Sequence, residues 1–152
     1  MKRAVLVLLA AFLALPGCAA ITIKPVDFSW SFESVLTTDD KGIVRGEPKT
    51  ILFNATQLFQ AEGGKEAPVA GRTIRIIRNA SGYYFVTSPG FKHVYIFEDG
   101  EAKLSLEEAV LIDEKGMEKP FFNRREAGIE LAANGQVFLL NEKGIMAGEK
   151  KK

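Results

Sequence analysis

The chain has 152 residues, 47% hydrophobic and 26% charged, with 20 Lys and Arg against 19 Asp and Glu. That length suits one ordinary domain, and so even a charge balance excludes general affinity for nucleic acid, which needs a clear basic excess. Cys18 and His93 are the only cysteine and histidine, which rules out an intramolecular disulfide and the usual structural zinc ligand sets.

At the N-terminus Lys2 and Arg3 precede an unbroken apolar run over residues 4–15, followed by Pro16, Gly17 and Cys18. A basic start, a short apolar stretch and small residues form the layout of an export signal. A spanning helix needs roughly 20 apolar residues, and Pro16-Gly17 interrupts this run well before that. Leu15-Pro16-Gly17-Cys18 resembles the lipobox of bacterial lipoproteins, with Pro16 standing where that family more often carries Ala, Ser or Thr. The resemblance covers the first twenty residues and implies that Cys18 receives a diacylglycerol on its sulfur and becomes the first residue after cleavage. Ala19, rather than Asp, after the cysteine implies passage to the outer membrane in a host with two membranes. An ordinary signal cut after Ala20 is the alternative. Each buried lipid methylene contributes about 0.8 kcal/mol, so two or three chains hold a protein on a bilayer unaided. The chain therefore divides into a signal at 1–17, a lipidated tether at 18–25, a single β-rich domain at 26–147 and a charged tail at 148–152.

Residues 26–32 alternate strictly, with Val26, Phe28, Trp30 and Phe32 on one face, the pattern of a half-buried strand. Residues 48–61 read as helix, opened by Pro48 and ended by Gly63-Gly64, or as strand, since Ile51, Phe53 and Thr56 favour one. Residues 61–71 are loop. A meander follows: strands at 73–78 and 83–87, a type II turn at Ser88-Pro89-Gly90-Phe91, a strand at 92–98, then Asp99-Gly100 as a two-residue hairpin turn leading into a third arm near 102–106. For 106–112 the pattern is divided, because Ser105-Leu106-Glu107-Glu108 has capping-box spacing while Val110-Leu111-Ile112 prefers strand. Asn134-Gly135 marks one more hairpin between 128–132 and 136–140.

Asp39-Asp40-Lys41-Gly42, Asp113-Glu114-Lys115-Gly116 and Asn141-Glu142-Lys143-Gly144 are alike. They are faintly similar to the Trp-Gly class of bacterial surface repeats, although the Trp-Gly pair is absent. The simpler reading is three copies of one turn.

Chemistry is sparse. His93 is the only imidazole for a nucleophilic triad, and strand alternation groups it with Phe91, Tyr95 and Phe97, which reads as structural. The acids between Glu98 and Glu118 lack calcium-loop spacing and read as a solvated sheet edge. No metal or cofactor signature is present. Arg72, Arg75, Arg78 and Lys92 are interleaved with aromatics in an acid-free stretch, so Tyr83, Tyr84, His93, Tyr95 and Arg75 form a candidate binding surface, although Arg75 and Arg78 point to opposite strand faces.

The expected fold is mainly β, a single sandwich or partly open barrel of antiparallel hairpins with one or two short helices at most. The expected function is that of a lipid-anchored, non-catalytic envelope component binding another envelope protein, by edge-strand addition or through the aromatic patch. Two alternatives stand behind it: a small-ligand or glycan-binding lipoprotein, and a hydrolase using carboxylates such as Glu98 and Glu108.

Overall fold

The computed structural model describes residues 32–46, 51–100 and 103–146. The expected signal, the Cys18 tether, the charged tail and all but Phe32 of the expected strand at 26–32 lie outside the described residues.

Among the described residues there are three antiparallel sheets and one short helix, and the sheets do not close into a barrel. The largest has five strands in the order β1 (Ser34–Thr37), β4 (Thr73–Arg78), β5 (Tyr84–Thr87), β6 (His93–Asp99) and β7 (Leu104–Leu111). A second contains β11 (Gly144–Ile145), β10 (Gln136–Asn141), β9 (Gly128–Ala133) and β8 (Phe121–Arg125), and a third is the pair β2 (Ile43–Gly46) and β3 (Ile51–Asn54).

Register partners share a face, so the pairing shows how the layers stack. Across the central sheet Ile76, Val86 and Tyr95 lie on one face, while Ile77, Phe85 and Ile96 lie on the other. All six are buried, as expected for a sheet covered on both sides. The first face lies under α1 (Thr56–Gly63), whose Leu58, with Phe53 of β3, borders Val86 and Phe97. The second lies under the four-stranded sheet, whose Ile129, Leu131, Phe138 and Leu140 join the same core. Glu33 clips these two sheets together: its carboxylate accepts from the Phe122 N–H at 3.0 Å and from Arg75 Nη1 at 2.6 Å. The result is an arrangement of sandwich type with a helix and hairpin on its outer face. Burial of each large apolar side chain in such a core stabilises by about 1.5–3 kcal/mol.

Of the expected 48–61 segment, the described residues 51–61 contain both structures in succession. Strand β3 ends at Asn54, whose side-chain oxygen accepts from the Thr56 N–H at 2.8 Å, and the helix starts there rather than at Pro48. Gly64 ends it in positive φ, donating to the Gln60 carbonyl. Its position agrees with the Gly-Gly stop, but the helix extends past residue 61 into the expected loop.

At the β6–β7 hairpin Asp99 pairs with Leu104, so the loop is four residues long rather than an Asp-Gly primed turn; the Gly100 N–H donates to the Lys103 carbonyl. Residues 106–111 are strand. Phe97 faces Leu106 and Ile96 faces Glu108, leaving Glu107 as an extra residue. That bulge breaks the two-residue period within the same residues whose spacing also fits a helix capping box. Asn134 (φ 51°) and Gly135 (φ 74°) form the expected primed turn. The three acidic-Lys-Gly segments share one local device: the side-chain oxygens of Asp39, Asp113 and Asn141 accept the N–H of Lys41, Lys115 and Lys143 at 2.9, 2.8 and 2.9 Å. Each ends in a positive-φ glycine. Since Asp113 sits between two different sheets whereas Asn141 turns a hairpin, the likeness is one of turn chemistry.

Candidate functional site

Ala55, which precedes helix α1, and Leu58 and Phe59 within it face the core, and the same spacing continued by one turn places Glu62 on that face. Its side chain is 6% exposed. Such a carboxylate must be saturated with donors, and it is. Oε2 accepts from the Lys92 N–H at 2.7 Å; Oε1 accepts from Tyr95 Oη at 2.8 Å, His93 Nδ1 at 2.9 Å and the His93 N–H at 3.2 Å. These donors all lie at the start of β6, so one side chain holds the helix to the strand. Phe59 packs edge-on against Phe91, and Phe91 against Tyr95, at 5.1 and 5.9 Å between ring centres. Burial, followed by the adjoining Glu62 carboxylate, raises the Tyr95 hydroxyl far above the ordinary phenol range, so it remains a donor.

A histidine oriented by a carboxylate is two-thirds of a nucleophilic triad. No hydroxyl bonds the other ring nitrogen of His93 among the described residues. The neighbouring hollow of about 150 Å³, between Phe59, Pro68, Arg72 and Phe91, adds no nucleophile. Chemically, the cluster is a clamp.

The candidate surface Tyr83, Tyr84, His93, Tyr95 and Arg75 is only partly brought together. His93 and Tyr95 share Glu62, with Tyr95 only 5% exposed. Tyr84 lies on the same sheet face, but under the Arg78 guanidinium at 5.4 Å. Burial raises its hydroxyl above the usual range. Tyr83 stands apart beside Glu98, which, ahead of burial and then Glu107 and Glu142, raises its hydroxyl. Arg75 is engaged by Glu33, so these groups form no continuous aromatic platform. Glu98 and Glu108 are both exposed, on neighbouring strands opposite Ser105 and Ile96. Among the described residues no group of three or more His, Cys, Asp or Glu is placed to hold a metal.

Two largely covered carboxylates, Glu33 and Glu62, escaped the sequence reading. Glu62 carried a usable signal, an acid in the apolar stripe of a short helix. Glu33 carried none, because its partners lie 42 and 89 residues away.

A further open feature is the outer edge of β7. This strand forms an edge of the central sheet and, at eight residues, is longer than the edge strands β1, β8 and β11. Leu106, Glu107, Glu108 and Ala109 are exposed in succession, and among the described residues no backbone bond reaches its outer side. Comparison with protein-family models, curated proteins and solved structures finds no match to this chain.

Proposed function

We propose that this protein is a lipid-anchored, non-catalytic component of a bacterial envelope that captures an extended segment of another envelope protein on the outer edge of β7. The run of four exposed residues on the longest sheet edge among the described residues carries this reading, since an unpaired strand offers main-chain hydrogen bonds to an incoming strand. Charge supports the choice of partner. Glu107 and Glu108 would meet their own copies if two edges paired, and like charges placed opposite are unfavourable. A segment with Lys or Arg between apolar residues would instead complement these acids and Leu106. The Leu15-Pro16-Gly17-Cys18 motif supports anchoring through Cys18, with Ala19 favouring the outer membrane. Saturation of Glu62 by four donors supports a structural part for the His93 cluster rather than catalysis.

A photo-crosslinking residue placed at 106 or 108 in intact cells tests the proposal. One partner should be captured from both positions, but not from Leu52 or Phe121, and charge reversal at Glu107 and Glu108 should abolish capture. Equal capture from all four positions, or capture that survives charge reversal, would refute it.

A further inference from the structure

At one end of the sandwich the β4–β5 turn meets the β8–β9 and β10–β11 turns around a cavity of about 320 Å³ lined by Asn79, Ser81, Arg124, Glu126, Asn141 and Glu142. That volume lies at the lower end for small-molecule sites. Arg124 is opposite Ile129, which is fully buried, so alternation turns its side chain toward the layer between the sheets, at its mouth. It makes no ion pair or hydrogen bond among the described residues. The two carboxamides are held by their own turns. Asn79 Oδ1 accepts from the Tyr83 N–H and Asn141 Oδ1 from the Lys143 N–H, both at 2.9 Å. Each oxygen thereby already accepts one bond, while the two N–H donors of each amide have no partner among the described residues.

The balance of groups selects the ligand. Arg125, also at this rim, is committed to Glu130 by two bonds of 3.0 and 2.7 Å. The uncommitted charges are therefore Arg124 against Glu126 and Glu142, which disfavours an anion. The lining carries donors, from Arg124 and the amides, together with acceptors, from the two carboxylates, and Ser81 supplies both. A hydroxyl donates and accepts at once, so this arrangement suits vicinal hydroxyls. The geometry points to a binding site for a neutral sugar of one or two rings in this inter-turn cavity, distinct from the β7 edge.

Titration of the full-length protein in detergent, followed by amide NMR, tests this assignment with lactose, N,N′-diacetylchitobiose, glucuronate and inorganic phosphate as probes. A neutral sugar should bind saturably, shifting the amides of residues 79–82, 126–128 and 141–143. Arg124→Ala, at an exposed position, should weaken that binding about tenfold or more while leaving the remaining spectrum unchanged. Glu126→Gln should weaken it less. Absence of saturable binding by either neutral sugar, binding of glucuronate or phosphate alone, or affinity unchanged in Arg124→Ala would overturn the site. Loss of partner capture at β7 has no bearing on this result, so the two proposals fail separately.

Discussion

Replacing Glu62 by Ala removes the acceptor of four hydrogen bonds from a side chain only 6% exposed. The Lys92 N–H, on an exposed residue, recovers water at little cost. Tyr95 Oη and the His93 N–H are part-buried, and an orphaned donor of that kind costs about 1–3 kcal/mol. Allowing for relaxation, the loss is about 3–4 kcal/mol, against a domain stability of roughly 5–15 kcal/mol. With a urea m-value near 2 kcal/mol/M, the unfolding midpoint should fall by about 1.5–2 M. Protein produced without residues 1–18 removes lipid from the measurement. Glu62→Gln keeps one acceptor oxygen and should lose only about 1–2 kcal/mol. Tyr95→Phe alone should cost about 1 kcal/mol, and in the double variant its effect should nearly vanish, giving a coupling of about 1 kcal/mol. A loss below 1 kcal/mol for Glu62→Ala, or additive single effects, would show that the helix is held by Leu58 and Phe59 alone and that the clamp is energetically idle.

Other expectations follow from the same contacts. Glu33→Ala leaves the Phe122 N–H and a half-buried Arg75, whose Nε already lacks a partner, and should cost about 2–3 kcal/mol by urea unfolding. Burial holds the Glu33 carboxyl above its ordinary value of 4.5, although the Phe122 N–H and Arg75 pull it back. The folded state therefore holds this proton more tightly than the unfolded one. That contribution is fully present below pH 4.5 and is lost as the pH rises through the raised value. Measured just above pH 4.5, stability should climb more steeply with pH in Glu33→Gln than in the parent chain. Asp39 and Asp113 act in the opposite sense. Their carboxyls are lowered chiefly by the backbone N–H groups of Ile43 and Lys115, so their contribution is present above the ordinary range and lost on acidification. Gly116→Ala places a Cβ 2.7 Å from the Gly90 carbonyl oxygen at φ +88° and should destabilise by more than 2 kcal/mol by thermal unfolding. For the anchor, Cys18→Ser should abolish incorporation of labelled palmitate in cells; retained label would remove the lipobox assignment.

Much of the architecture was legible because alternation and turn chemistry are local. The strand Thr73–Arg78 and the turns at Gly90 and Asn134-Gly135 follow from β-branched runs and from positive-φ positions that Gly and Asn tolerate. Local signals misled where a non-local register intervened. The bulge at Glu107 exists only because β7 pairs with β6 out of step, and the four-residue loop after Asp99 follows from that pairing. In residues 48–61 both propensities were real, and Asn54 divided them.

The chemistry separates in the same way. A short apolar run ending in Leu15-Pro16-Gly17-Cys18 is a linear signal, so the expectation of an anchor needed no tertiary structure. Glu62 became the partner of His93 and Tyr95, Glu33 that of Arg75, and Arg124 part of the rim of a cavity between turns because separate segments were brought together. Alternation along a strand tells which side chains share a face, but only the packing of sheet on sheet and helix on sheet decides what each face meets.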